Sequence, residues 1–336
     1  MSEALGTLDA PVLVLADLDG TRPTDPALEL VAAARTLTGG GGDVVALTLG
    51  PVEAEASAAL AAAGANRLLV ADLGGERAQA VAGADAVVAA VHEVAPGAVL
   101  VSSDYRGKET AGRAAVLLDS ACVSDVADLR VVDGALHADR LVLSGSWSTT
   151  MSANAHTVHP PILAVRPGSV EVPDASVDDA APLPAVALEA AVSPEAAAVR
   201  LVSRESTAAA AGPDLAGART VVVGGRGVDG DFDLVRSLAE PLGAAVGATR
   251  VACDEEWIER SAQIGQTGVS IAPRLYIGLG VSGAIHHTSG IQGAGTIVAV
   301  CDDSEAPIFE MADFGVVGDV TEVVPQLVAE LDRLRG

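Results

Sequence analysis

The sequence predicts an α/β protein of two doubly wound, mostly parallel-sheet domains, and three observations predict it. Half of the 336 residues are hydrophobic while aromatics are only 2%. The core is therefore built from Ala, Val, Leu and Ile, which suit parallel strands buried under helices on both faces. Short apolar runs alternate with helical stretches along most of the chain, the order that feeds right-handed crossovers. The length corresponds to about two domains at roughly 150 residues each.

In the first domain, Pro11–Ala16 is an apolar run read as a buried strand. Asp25-Pro26 supplies an N-cap and a first-turn proline for a helix running to about Leu37, stopped by the Gly39–Gly42 cluster. Val44–Leu49 is a strand, Val52–Ala63 a helix ended by Gly64, and Arg67–Ala71 a strand. Arg77–Val94 is a helix before Pro96, Val99–Ser102 a strand and Lys108–Leu118 a helix. After Cys122 the pattern changes. Ala127–Val132, Arg140–Leu143 and Ile162–Val165 read as an antiparallel extension of the same sheet. Residues 173–184 (PDASVDDAAPLP) are acidic and proline-rich and read as a mobile loop. The break at Ala208–Ala216 places the domains at 1–207 and 208–336.

The second domain opens with a strand at Thr220–Val223 running into Gly224-Gly225-Arg226-Gly227. A helix follows at Phe232–Leu242, a strand at Arg274–Leu279 and a helix at Ser282–Ser289. Gly295–Val300 is a strand and Asp319–Leu334 a closing helix.

A formal net charge of -25 repels phosphate backbones and argues against nucleic-acid binding. The three cysteines, Cys122, Cys253 and Cys301, are few, odd in number and far apart. They form neither a zinc pattern nor a disulfide framework, which fits a reducing cytoplasm. Met1–Asp9 carries acids where a signal peptide carries bases. No apolar run reaches the ~18 residues of a membrane span.

Chemistry concentrates in the second domain. Gly278, Gly280 and Gly283 form G-x-G-x-x-G between a strand and a helix, where backbone amides can approach a pyrophosphate. Taken alone, the same spacing also describes a tight turn without a ligand. Arg226 sits on a second glycine-rich turn and offers a bidentate phosphate partner. Gln263–Gly268 (QIGQTG) is a polar, glycine-framed loop suited to a planar polar ring. Turns at strand ends of such sheets converge on one crevice, so the three together point to a large phosphate-bearing cofactor. No G-x-S-x-G, H-E-x-x-H or P-loop lysine is present. His156 and His159 read as structural or surface residues. His286 and His287, adjacent on one helix, face different ways, so at most one reaches a ligand.

GGRG at Gly224–Gly227, LGAAVGATRVACD at Leu242–Asp254 and QIGQTG at Gln263–Gly268 resemble, in this order, the alpha subunit of electron-transfer flavoprotein. PRLYIGLGVSGAIHH at Pro273–His287, IVAVCDDSEAPIFEMADFGVVGD at Ile297–Asp319 and VVPQL at Val323–Leu327 continue the resemblance. It covers nearly all of the second domain. In the first domain it is looser, with Gly107-Lys108-Glu109 and Ala111-Gly112-Arg113 its best piece. The resemblance implies that the second domain binds FAD and that the first is a subunit-interface lobe. It implies an electron carrier rather than an enzyme with its own substrate. The implied heterodimer with a beta subunit takes electrons from acyl-CoA dehydrogenases or similar flavoenzymes of fatty acid β-oxidation and passes them to a quinone oxidoreductase.

The resemblance also implies cofactor contacts. Arg226 stands at the arginine near the FAD phosphates and flavin edge. Thr249 and Arg250 stand at a Ser-Arg pair whose arginine lies over the flavin. Ile264, Gly265, Gln266 and Thr267 form the loop whose threonine hydroxyl meets flavin N5. Ser282, Gly283, Ala284, Ile285, His286 and His287 form the helix start under the pyrophosphate, with His287 near the flavin C2 carbonyl. Asp319 and Val320 stand at the adenosine end. Arg250 and His287 are expected to stabilise negative charge on the reduced flavin. The chain departs from the family at Thr249 (usually Ser), His286 (usually Gln), Val269 (usually Lys) and Cys301 (usually Asn near the adenosine). A thiol is a poorer hydrogen-bond partner than an amide, so Cys301 implies slightly weaker FAD binding or compensation by Asp302.

Two other readings stay open at this level. An NAD-dependent Rossmann dehydrogenase accounts for the GLGVSG turn, with Asp302 or Asp303 as its ribose-binding acid. A structural subunit that holds FAD or AMP without shuttling electrons accounts for Cys301 and the divergent first domain.

Overall fold

The computed structural model describes residues 6–74, 79–142, 147–173, 180–203 and 215–335. They divide into two compact units, one ending at residue 203 and one beginning at residue 215. Residues 208–214 of the expected interdomain break, and 174–179 of the expected loop, lie outside the described residues.

The first unit runs β1 (Val12–Leu15), a hairpin of β2 (Leu18–Asp19) and β3 (Arg22–Pro23), α1 (Asp25–Leu37), β4 (Val44–Thr48), α2 (Ala54–Ala63) and β5 (Arg67–Val70). It continues with α3 (Ala80–Val94), β6 (Ala98–Ser102), α4 (Tyr105–Leu117), β7 (Cys122–Val132), β8 (Ala135–Val142) and β9 (Trp147–Asn154). β10 (Ile162–Val165), β11 (Ala185–Ala187) and α5 (Pro194–Ala198) complete it. The nine-stranded sheet has the order β11-β5-β4-β1-β6-β10-β7-β8-β9. Every pair from β11 to β7 is parallel, and β7-β8-β9 is an antiparallel tail. Along β1, Val12 and Val14 feed one core while Leu13 and Leu15 feed the other, on the opposite face. Two covered faces explain why the strand is apolar at every position.

Several expectations shift here. The cap of α1 is Thr24, whose hydroxyl accepts from Ala27 N at 3.3 Å, so Asp25-Pro26 forms the first turn itself. Arg77 and Leu143, expected element ends, lie outside the described residues. Ile162–Val165 is not part of the antiparallel extension, because β10 inserts between β6 and β7 in the parallel core. The antiparallel tail instead gains β9, whose residues are mostly exposed.

The second unit comprises β12 (Thr220–Gly224), α6 (Phe232–Leu242), β13 (Ala245–Ala248), α7 (Arg250–Asp254), β14 (Leu275–Leu279) and α8 (Ile285–Thr288). β15 (Thr296–Cys301), β16 (Phe314–Val317) and α9 (Val320–Arg335) follow. Its five-stranded sheet is parallel throughout, in the order β13-β12-β14-β15-β16. The chain therefore builds outward from β12 in one direction and then reverses at β14. A doubly wound sheet opens its ligand crevice at that switch point, beyond the carboxyl ends of the two strands. The helix expected over Ser282–Ser289 is a single turn, α8 of four residues. Its dipole adds little, since the macrodipole sums over aligned peptides. Among the described residues, no helix is long and apolar enough to cross a membrane and no cluster of side chains is arranged for a metal ion.

Candidate functional site

The turns after β12 and β14 touch through glycine. Gly225 N donates to Leu279 O at 2.9 Å, and Gly227 N donates to Gly280 O at 3.0 Å. A Cβ on Gly225 would lie 2.3 Å from Gly280 O, so no larger residue fits between the strand ends. Gly280 also takes φ +61°, the left-handed region that glycine enters without strain. Those contacts bring the two turns together at the switch point.

A third loop closes over them. Ile264 N donates to Ala248 O at 2.9 Å, fixing QIGQTG beside the end of β13. Gln266 N donates to His286 O at 2.7 Å, tying the loop to α8. Gly265, at φ +134°, leaves no room for a Cβ, which would lie 2.3 Å from His286 O.

Between these elements lies a cavity of about 300 Å³. It is bordered by Arg226 from the first turn, Thr249, Arg250 and Val251 from the start of α7, and Gln263, Ile264 and Thr267 from the loop. Val281, Ser282, Gly283, Ala284, His286 and His287 complete the border. Ten of the sixteen residues implied by the resemblance thus share one cavity. Gly265, Gln266 and Ile285 do not border it. Small-molecule pockets start at about 300 Å³, so this cavity suits the ring end of a dinucleotide rather than all of it.

The residues implied for the adenosine end stand apart from the cavity lining. Cys301 is buried in an apolar cluster, its thiol 3.8 Å from Asp302 Oδ1, and burial pushes the thiol up from its ordinary value. Asp319 is exposed and caps α9 by accepting from Thr321 N at 2.8 Å. The Val320 side chain is buried in the core, which leaves only backbone for a ligand.

Two groups at the cavity lack a protein partner, one exposed and one buried. The Arg226 guanidinium has no hydrogen-bond or ion-pair partner among the described residues, in a chain of net charge -25. Thr249 Oγ1 is buried and has no hydrogen-bond partner. An unmatched buried hydroxyl costs about 1–3 kcal/mol, so a polar ligand atom beside it would stabilise the site. A free guanidinium, an orphan hydroxyl and glycine-lined turns suit FAD, with phosphate near Arg226 and a polar ring in the cavity.

Arg250 is bound through Nε to Asp254 Oδ2 at 3.1 Å. Asp254 also holds Arg260 Nη2 at 2.5 Å, and hydrogen bonds from both arginines hold its carboxyl below the usual range against the opposing effect of desolvation. Both His286 and His287 border the cavity, against the expectation that at most one reaches a ligand. His286 is exposed and its Nδ1 lies 2.7 Å from Gln266 Oε1. His287 is 5% exposed with both ring nitrogens engaged. Ile264 O can only accept, so His287 Nδ1 donates to it at 3.2 Å, and Nε2 accepts from the Tyr276 hydroxyl at 2.8 Å. Burial brings the His287 pKa down to about 4 and raises that of Tyr276. His287 is therefore neutral at pH 7, and the positive charge of the cavity comes from Arg226 and Arg250.

Sequence reasoning missed Val251, Gln263 and Val281 in the lining and Tyr276 behind it. Val251 and Val281 carry no polar signal. Gln263 opens the QIGQTG loop and acts through Arg260 and Thr267, three and four residues away, whereas Tyr276 acts through His287, which the fold brings to it. His156 and His159 serve the backbone: His156 Nδ1 accepts from His159 N at 3.0 Å, and His159 Nδ1 donates to Leu118 O at 2.7 Å.

A doubly wound sheet with glycine-tight turns and an arginine-bordered cavity at its switch point is the arrangement of a dinucleotide-cofactor protein. Residues 214–292 match the family model described as the electron transfer flavoprotein FAD-binding domain, and residues 12–193 match that of the electron transfer flavoprotein domain. The chain is 40% identical to the electron transfer flavoprotein subunit alpha of Mycobacterium leprae, over 92% of this chain and 94% of the relative. It is 39% identical to the subunit of the same name from Mycobacterium tuberculosis, over 97% and 100%. For that of Bacillus subtilis the identity is 33%, over 96% and 98%. The chain belongs to the electron-transfer flavoprotein alpha subunit family, whose cofactor is FAD.

Proposed function

We propose that this chain pairs with a beta subunit as a heterodimeric electron-transfer flavoprotein and holds the FAD ring in the cavity at the β12–β14 switch point. It takes electrons from acyl-CoA dehydrogenase-type flavoenzymes of fatty acid β-oxidation and delivers them to a quinone-reducing acceptor, in the cytoplasm. The observation that carries the reading is that an exposed guanidinium without an ion-pair partner among the described residues, Arg226, and a buried hydroxyl without a partner, Thr249 Oγ1, border one glycine-framed crevice. The three free cysteines agree with a reducing compartment.

FAD supplies the redox chemistry by accepting and releasing electrons. The chain positions it. Arg226 neutralises phosphate, Thr249 and Thr267 offer hydroxyls to the ring, and Arg250 sets positive charge beside it. His287, neutral and held from both sides, shapes the ring edge without adding charge. Cys301, Asp319 and Val320 serve the adenosine end, Val320 through its backbone.

The test is to co-purify the chain with its neighbouring beta-type subunit and release the bound nucleotide. One flavin per heterodimer, reduced on mixing with an acyl-CoA dehydrogenase and its substrate in a stopped-flow cell, is the expected result. A colourless protein that binds NAD would favour the dehydrogenase reading. Tightly held FAD that no dehydrogenase reduces would favour the structural one.

A further inference from the structure

Gln263 is a long polar side chain only 2% exposed, yet it borders the cavity. Burial of a primary amide is costly unless both of its ends are matched. Here both are. Arg260 Nη1 lies 3.3 Å from Oε1, and Nε2 lies 3.0 Å from Thr267 Oγ1. A guanidinium has only donors, so the amide atom facing Arg260 must be the oxygen. The NH2 group therefore faces Thr267 and donates to its hydroxyl oxygen. Arg260 is in turn held by Asp254 at 2.5 Å. The backbone fixes the rest, since Val269 N donates to Gln263 O at 2.8 Å and a Cβ on Gly268 would lie 2.1 Å from that oxygen.

We propose that Gln263 is a positioning residue that sets the sense of the Thr267 hydroxyl: by donating to Oγ1 it leaves the hydroxyl proton to be given to an acceptor atom of the flavin ring. A threonine hydroxyl can donate or accept, and a free one rotates between the two. With one lone pair taken by the buried amide, the hydroxyl keeps its proton and one lone pair, and an acceptor atom in the cavity takes the proton. An electron entering the ring adds negative charge there, and a fixed donor stabilises it more than a rotating one, because no reorientation is needed. This inference rests on the reading that the flavin ring occupies the cavity.

The experiment is a double-mutant cycle on the FAD-loaded heterodimer with Gln263→Met, Thr267→Val and both together. Flavin content, the visible flavin spectrum and the first one-electron potential are recorded for each. Gln263→Met is expected to lower the potential by about 59 mV, a tenfold shift in the one-electron equilibrium. It is expected to shift the spectrum in the same direction as Thr267→Val. In the Thr267→Val background Gln263→Met is expected to change neither. An equal shift in both backgrounds, or a parent-like potential in Gln263→Met, would overturn the proposal. Arg260→Met is an exposed substitution that removes the donor to Gln263 Oε1 and leaves Gln263 in place, and is expected to give a smaller shift of the same sign. If Gln263→Met does not fold, a parent-like potential in Arg260→Met overturns the proposal. A parent heterodimer without flavin would overturn the underlying reading and this inference with it, whereas flavin-loaded variants with additive shifts overturn this inference alone.

Discussion

The two units carry the same kind of switch point and treat their polar groups differently there. In the first, between β1 and β6, the charges are matched. Arg106 pairs with Asp17, Lys108 with Asp125 at 2.9 Å, and Asp104 caps α4 by accepting from Gly107 N at 2.7 Å. One hydroxyl, Ser102 Oγ, is buried without a partner. In the second, between β12 and β14, the exposed Arg226 has no acid among the described residues, Thr249 Oγ1 has no partner, and both border one cavity. The topology is shared, so it does not distinguish a scaffold from a cofactor site. The difference lies in which charged groups the protein leaves for something else to satisfy.

The largest effect that sharpens this contrast comes from the matched site. The Asp17 side chain is only 11% exposed, and burial raises its pKa despite the opposing charge of Arg106. Arg106→Met leaves that carboxylate unpaired, so unfolding free energy is expected to fall by roughly 3–5 kcal/mol. FAD affinity should stay within about twofold. Because the loss comes from the ionised carboxylate, it should grow as pH rises above the carboxylate range. Urea titrations at two pH values, with FAD binding measured alongside, check both halves.

His287 gives the next effect. Its folded pKa, about 4, lies below its ordinary value of 6.5, so the unfolded chain binds the extra proton between those values. The neutral, buried state thus contributes fully above pH 6.5 and is lost as pH falls toward 4. The linkage is worth about 3 kcal/mol across that window. In His287→Gln that part of the acid destabilisation should disappear, so denaturation curves of the two proteins should converge as pH falls. A pH slope equal to the parent's would mean that His287 is charged in the folded protein.

Much of the site was legible in the sequence because its close backbone approaches admit only glycine. Gly225, Gly265 and Gly280 each meet backbone where a Cβ would go, so the turns that carry them are visible as motifs. Parallel strands with two buried faces were visible for the same kind of reason, as unbroken apolar runs. Elements without that pattern were not. β13 is AVGA, with weak strand propensity, and β16 is exposed at all four residues with no alternation. The place of β10 between β6 and β7 depends on long-range order that no local window contains. Tyr276 was illegible as a site residue because its partner, His287, is set by the fold. Gln263 lies only three and four residues from Arg260 and Thr267, and what the loop pattern does not show is that its side chain turns inward to meet both.

Two smaller effects probe the cavity itself. A charge about 4 Å from another is worth on the order of 4 kcal/mol at an effective dielectric of about 20. Arg250 is 65% exposed and shared with Asp254, which cuts its effect to about 1 kcal/mol. Arg250→Ala is therefore expected to lower the first one-electron potential by about 40 mV in a potentiometric titration. Thr249→Val should change two quantities in opposite directions. Removing an orphan buried hydroxyl should stabilise the FAD-free protein slightly, while FAD affinity falls by about 1 kcal/mol, roughly fivefold. Thermal unfolding with and without FAD separates the two.

The most direct measurement is the FAD dissociation constant of the heterodimer carrying Arg226→Met, reconstituted after removal of its flavin. An unpaired guanidinium kept for phosphate is worth roughly 1.5–3 kcal/mol as a charge-assisted hydrogen bond. The expected result is FAD binding weaker by roughly 10- to 100-fold, with the unfolding temperature of the FAD-free protein unchanged. FAD bound within about twofold of the parent would contradict the account, because the charge left unmatched at the second switch point would then have nothing to do with the cofactor.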